Sequence, residues 1–173
     1  MEKKASLIVG LGNPEPEYAG TRHNAGFMAV NAMAGAGAVW KKEKNYLAAK
    51  IGRLIFVKPA TFMNLSGAAV LAAMTKHKIP LGNVAVIHDD IDLKLGDART
   101  KVGGGNAGHN GLKSISAAVG NDYRRVRIGV GRPESKDYDI ADWVLGKFTK
   151  SELAEIENVI SDKIPNLCPE CAQ

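Results

Sequence analysis

The chain has no apolar run approaching the roughly 18 residues that a membrane span requires, and Met-Glu-Lys-Lys leads into the first strand-like run without a signal-type hydrophobic region. Cytoplasmic residence without a membrane partner is the expectation. Cysteine is nearly absent: only Cys168 and Cys171 occur, as one C-x-x-C near the C-terminus with no second pair to complete a zinc site. Residues 164–173 therefore read as a flexible, exposed tail, with a redox or intermolecular metal role as the alternative. No H-x-x-x-H or H-E-x-x-H occurs, which argues against a metal centre, and no G-x-S-x-G elbow marks a nucleophilic serine. G-x-G-x-x-G after a first strand and G-x-x-x-x-G-K-[ST] are both missing, so neither a dinucleotide nor an ATP site is read. No internal repeat appears.

What is present is a soluble composition, 45% hydrophobic and 24% charged with 19 glycines, in 173 residues. That length suits one core and one domain, 1–173. The net charge of +5 is unevenly spread, because residues 134–173 carry a net −5 and residues 1–133 therefore +10. Clusters at Lys41, Lys42 and Lys44, at Lys94, Arg99 and Lys101, and at Arg124, Arg125, Arg127 and Arg132 make a polyanionic partner plausible. An ordinary solvated basic surface is the bland reading.

Alternating strand and helix signals place the chemistry. SLIVGL (6–11) reads as a strand ending in Gly-Asn-Pro, and NAGFMAVNAMAGAGA (24–38) as a helix. YLAAKIGRLIFVKP (46–59) reads as two strands about Gly52-Arg53, and NLSGAAVLAAMTKHK (64–78) as a helix. VAVIHDD (84–90) is a buried-type strand, DARTKV (97–102) and RRVRIGVG (124–131) are strands, and 112–120 and 150–163 are helices. The predicted fold is α/β, an αβα sandwich around a mixed, mostly parallel twisted sheet. Ligands gather beyond the carboxyl ends of such strands, where the polar ends of 6–11 and 84–90 fall.

His23 lies just past the first of those ends. A neutral imidazole can take a proton from water near pH 7, and a carboxylate on its other nitrogen would fix the tautomer. Asp89 is best placed for that, while Asn13, Asn64 and Asn110 could bind a carbonyl, an amide or the attacking water. Each also has an ordinary reading: Asn13 as a turn residue, Asn64 and Asn110 as helix caps, Asp89 as a loop cap, His23 as a solvent-exposed side chain. His77 lies among lysines, His88 points away from Asp89 if the strand persists, and His109 adjoins a probable cap. The loop GGGNAGHNG (103–111) could cradle phosphate at a helix N-terminus. With no nucleophile, metal or nucleotide motif, direct attack by His-activated water is the chemistry that remains.

IVGLGNP (8–14), EYAGTRHNAG (17–26), KPATFMNLSG (58–67), HDDIDLKLG (88–96), GGGNAGHNGLKSI (103–115), RVRIGVGRP (125–133) and VLGKF (144–148) together resemble, in order, the motifs of bacterial peptidyl-tRNA hydrolases. The resemblance spans residues 7–160. It implies hydrolysis of the ester between a peptide and the 3′ end of tRNA, recycling tRNA after abortive translation, by a cytoplasmic monomer that uses neither cofactor nor metal. By position it makes His23 the catalytic base and Asp89 its orienting partner. Asn13, Asn64 and Asn110 become substrate- or water-positioning residues, with Met63 in the same motif as Asn64. Tyr18 falls near the tRNA end, and Lys101 and Arg127, with Asn110, fall where tRNA is gripped. Departures are Asn-Pro-Glu-Pro where Asn-Pro-Gly is common, and Asn106 and Ala107 where His or Gly is usual. The chain also stops at Gln173, short of the usual length, so less cover over the site or weaker tRNA binding is expected. Two other functions stay open on the residues: RNA binding without catalysis, and hydrolysis of a different N-blocked ester.

Overall fold

The computed structural model describes residues 4–171. Seven strands form one sheet in the order β2-β3-β4-β1-β5-β7-β6. They are β1 (Ser6–Gly10), β2 (Lys41–Lys42), β3 (Tyr46–Ile51), β4 (Leu54–Pro59), β5 (Val84–Asp90), β6 (Ala98–Val102) and β7 (Arg124–Gly129). The helices are α1 (Ala25–Ala34), α2 (Ser66–His77), α3 (Asn110–Val119), α4 (Ile140–Leu145), α5 (Lys150–Asp162) and α6 (Ile164–Leu167). The four central strands, β4, β1, β5 and β7, run parallel, and the outer pairings β2/β3, β3/β4 and β6/β7 are antiparallel.

Alternation along each strand sends side chains to opposite faces, and both faces are covered. In β1, Leu7 and Val9 join Ala69 and Val70 of α2 and Leu112 and Ile115 of α3 on one side. Ile8 joins Ala29 and Val30 of α1 and Ile156 and Ile160 of α5 on the other. Every residue of β5 is buried. Each such fully buried aliphatic side chain contributes roughly 1.5–3 kcal/mol. The short edge strand β2 is a pair of exposed lysines, which discourages further strand addition there. Among the described residues, no helix is long and apolar enough to cross a membrane.

The chain leaves β1 toward β4 on one side and returns as β5 on the other, so β1 and β5 flank the point where the winding reverses. A crevice opens beyond their carboxyl ends. Close packing fixes its floor: a Cβ on Gly26, in the first turn of α1, would lie 2.3 Å from the carbonyl oxygen of Ile87 and 2.4 Å from the amide nitrogen of Leu11. Only glycine lets α1 approach both strands this closely.

Three sequence expectations change. The first helix ends at Ala34, where Gly35 takes φ 90°, rather than continuing to 38. α4, over Ile140–Leu145, is a helix in a stretch to which the sequence reading assigns no element. The tail expected over 164–173 is packed through residue 171: Ile164 and Cys168 are fully buried in the core beneath α1 and α5, Cys168 pairs with Cys171, and Glu170 binds Arg124 at 2.8 Å. Residues 172–173 lie outside the described residues. Apolar burial and one ion pair hold the segment down, and neither is visible in a short run containing two prolines.

Candidate active site

A cavity of about 460 Å³ occupies the crevice at the ends of β1 and β5. Its polar side is built from two loops that converge on Asp89. One is the 3-10 turn Arg22–Asn24, between the Gly-Asn-Pro turn and α1, which carries His23. The other is the glycine-rich loop before α3, which carries His109. His23 Nδ1 lies 2.9 and 3.0 Å from the two carboxylate oxygens of Asp89, and His109 Nε2 lies 2.9 Å from Oδ1. The Asp89 side chain is only 2% exposed.

Hydrogen-bond direction settles the protons of His109. Its Nδ1 accepts from the backbone N–H groups of Gly111 and Leu112, capping α3, and so carries no hydrogen. The proton is therefore on Nε2, which donates to Asp89. The carboxylate also accepts from His23 Nδ1–H, which leaves His23 Nε2 as the nitrogen available to a ligand in the cavity. Burial by itself would lower the His23 pKa, but the charge of Asp89 and its hydrogen bond outweigh that effect and raise it. For Asp89, burial would raise the pKa; the adjacent imidazoles of His23 and His109 reverse this and hold it well below the ordinary carboxylate range. His88 sits beside them, its ring 5.3 Å from that of His109. Its Nδ1–H donates to the Asp89 carbonyl, and burial with the neighbouring His109 pushes its pKa down to about 4. His88 thus stays neutral.

The other expected residues divide. Asn13, Tyr18, Met63 and Asn110 line the cavity with His23 and Asp89. Asn64 does not: it is exposed on the 3-10 turn Met63–Leu65, next to Met63 rather than beside it in the cavity wall. Asn110 is the first residue of α3, and the cap is His109 instead. His88 borders the cavity together with Asp89, contrary to the strict alternation expected of a continuing strand, because both stand at the strand end. Ile91, Ile140, Ala141, Val144 and Leu145 supply an apolar wall, most of it from α4.

Two residues that sequence reasoning passed over organise the site. Asn24, 5% exposed, accepts from the Asn13 backbone N–H at 2.8 Å and donates to the Asn13 carbonyl at 3.0 Å. This reciprocal pair fixes the Gly-Asn-Pro turn to the His23 turn and leaves the Asn13 side chain for the cavity. His109 is the second; its signal was a polar residue at a helix start, which reads equally well as an ordinary cap.

The arginine cluster is mostly internal. Arg124 pairs with Glu170, Arg127 with Asp90 at 2.8 Å and Arg132 with Asp92 at 2.6 Å. Arg125 is fully buried and donates to the Gly105 carbonyl, to Asn106 Oδ1 and to Asn121, pinning the glycine-rich loop from below. Of the other cations expected to form a basic surface, Lys94 and Arg99 are exposed near β6, Arg99 lying 3.4 Å from Asp97, and Lys101 is half-buried on it. Neither Lys101 nor Arg127 lines the cavity.

His23, Asp89 and His109 bring three ligand-type atoms within 4.8 Å of one another. Coordination through His109 Nε2 would move its proton to Nδ1, directly against two backbone N–H donors. The group suits an imidazole oriented by a buried carboxylate better than a resident cation.

Comparison with known proteins identifies a family and a shared fold. Residues 7–172 match the family described as Peptidyl-tRNA hydrolase. A peptidyl-tRNA hydrolase of Rickettsia bellii (strain RML369-C) is 52% identical over 165 residues, covering 91% of this chain and 88% of its own length. A crystal structure of a peptidyl-tRNA hydrolase in complex with N-propanol superposes with a TM-score of 0.87 at 36% identity, covering 96% of this chain and 88% of that one. The peptidyl-tRNA hydrolase of Acinetobacter baumannii superposes with a TM-score of 0.84 at 34% identity, covering 96% and 94%.

Proposed function

This chain belongs to the peptidyl-tRNA hydrolase family, and we propose that it hydrolyses the ester between a peptide and the 3′ end of tRNA with His23 as general base. The observation that carries the reading is the pairing of His23 Nδ1 with the buried Asp89 carboxylate, which leaves Nε2 toward the cavity. His23 Nε2 takes a proton from water as its oxygen attacks the ester carbonyl. The tetrahedral intermediate then collapses, the carbonyl–oxygen bond to the ribose breaks, and the imidazolium returns the proton to the departing 3′ oxygen. Asp89 stabilises the imidazolium between the two transfers. An ester yields to this without a covalent nucleophile, and neither metal nor cofactor enters the reaction.

Asn13 and Asn110, on the cavity wall, are assigned to the water and the peptide unit. Their neutral amides suit an acylated α-nitrogen, whereas a free α-ammonium would leave polar partners mismatched. Asn64 is assigned to the approach of the substrate, from its exposed position beside Met63; Met63 and Tyr18 are assigned to the walls that hold it. Lys101, exposed Lys94 and Arg99, and the Asp90-paired Arg127 are assigned to phosphates, giving salt-sensitive binding with little sequence readout. The protein is proposed to act as a cytoplasmic monomer on products of abortive translation.

The test is peptide release from N-acetylaminoacyl-tRNA by wild type and His23→Ala, with tRNA binding measured in parallel. Loss of activity by at least about a hundredfold with binding retained is expected. A wild type that binds tRNA without cleaving it would instead make this an RNA-binding protein.

A further inference from the structure

The residue before His23 ties the base to the opposite wall of the cavity. Arg22 is 6% exposed, and its guanidinium lies 3.5 Å from the centroid of the Trp143 ring in α4. Nη1 donates to the Trp143 carbonyl at 3.2 Å, and Nη2 to both carboxylate oxygens of Glu152 at 3.1 and 3.4 Å. Glu152 also accepts from the backbone N–H of Thr149 in the capping box of α5. One planar group therefore joins the His23 turn, the end of α4 and the start of α5. A lysine could supply the charge but not this fork and stack together.

The backbone repeats the connection. Arg22 N–H donates to the Gly146 carbonyl at 3.0 Å, Phe148 N–H to the Gly20 carbonyl at 2.9 Å, and Thr21 bridges Lys147. A Cβ on Gly146 would lie 2.8 Å from Arg22 Nη1 and 3.1 Å from the Trp143 carbonyl oxygen, so glycine leaves the guanidinium its place at the crossing. α4 has no buried residue of its own, yet Ile140, Ala141, Val144 and Leu145 face the cavity. Its position depends on these ties and on the Trp143 indole N–H donating to the Gly131 carbonyl at 2.8 Å.

We propose that Arg22 is a positioning residue for the hydrolysis, holding the His23 turn and α4 as one unit so that a peptide seated on α4 meets a base at fixed distance. Arg22 does not line the cavity and touches no reacting atom; it acts through His23. The inference rests on the proposed reaction.

A double-mutant cycle with N-acetylaminoacyl-tRNA tests it, comparing wild type, Arg22→Ala, His23→Ala and the double variant below their melting temperatures. Arg22→Ala is expected to lower kcat at least tenfold with KM changed less than threefold, and to cost nothing further in the His23→Ala background. Wild-type kcat in Arg22→Ala, or an additive loss in the double variant, overturns the proposal, because a merely structural clamp would lower the melting temperature without this dependence on His23. Should Arg22→Ala fail to fold, Arg22→Lys takes its place in the cycle with at least a threefold loss expected, and wild-type kcat there overturns the proposal equally. An inactive wild type would instead reject the hydrolase reading itself.

Discussion

The turn at 22–24 and the glycine-rich loop at 103–109 both deliver an imidazole to Asp89, and both are anchored by a buried arginine, Arg22 for the first and Arg125 for the second. The two histidines are nevertheless not equivalent. His109 uses both nitrogens, one as the cap of α3 and one as donor to the carboxylate, so it has no proton site to spare. His23 uses one and keeps the other for the cavity. Of the two, only His23 keeps the unclaimed nitrogen that a general base needs.

The largest test of that contrast is Asp89→Asn. An amide is uncharged, and with its oxygen at the Oδ1 position its NH2 would face His23 Nδ1–H at the 2.9 Å now taken by Oδ2, donor against donor. A loss of about a hundredfold or more in kcat is expected, measured by peptide release. The pH dependence sharpens it. In the proposed mechanism activity requires neutral His23, and Asp89 raises its pKa, so the acid limb of kcat/KM should lie above the ordinary histidine value of about 6.5 in wild type. In any residual activity of Asp89→Asn the limb should move to lower pH, because burial, which opposes the charged ring, then acts without the carboxylate. A limb that stays in place would show that another group sets it.

The same shift has a sign in stability. The raised His23 pKa contributes stability that is full below about pH 6.5 and is lost as pH rises through the folded value. Asp89, depressed on folding, contributes stability above its unfolded value of about 3.9 that is lost as pH falls through the folded one. The wild-type melting temperature should therefore drop more than that of His23→Gln between pH 6 and pH 8.

His109 should behave as the quieter partner. His109→Ala removes both a cap and a donor to Asp89, with about 1–2 kcal/mol of stability expected to go, read by denaturant unfolding. His109→Asn keeps a capping side chain and should recover much of that stability, while both variants lose less activity than His23→Ala. The smallest effect concerns Ala107, which holds φ 48° in the glycine-rich loop. Ala107→Gly relieves a conformation that costs a residue with a Cβ about 1 kcal/mol, and should raise the melting temperature by about 1–3 °C.

Strand and helix placement was largely legible: the apolar run 84–90 is β5 residue for residue, and 46–59 divides about Gly52 into β3 and β4. Periodicity and turn residues carry that information within a few positions of the chain. Alternation said less about His88, because cavity access at a strand end depends on what stops above it. The C-terminal segment was misread for a related reason, since Ile164 and Cys168 are buried by α1, α5 and the sheet rather than by neighbours in sequence. The arginines of 124–132 looked like one basic patch, and only their separate partners, Glu170, Asp90, Asp92 and the glycine-loop carbonyls, removed most of that charge from the surface.

By itself the sequence determined the order of the long elements, though not β2, α4 or α6, together with the α/β class, the motif resemblance, and a short set of polar residues at strand and helix ends, because each depends on local chemistry and spacing. Only the tertiary structure decided that Asp89 accepts from two imidazoles, that Asn24 locks the Asn13 turn and that Arg22 joins the His23 turn to the cavity wall. Those contacts link residues 11 to 130 positions apart. Their distances and proton directions exist only once the sheet has brought both loops to the ends of β1 and β5.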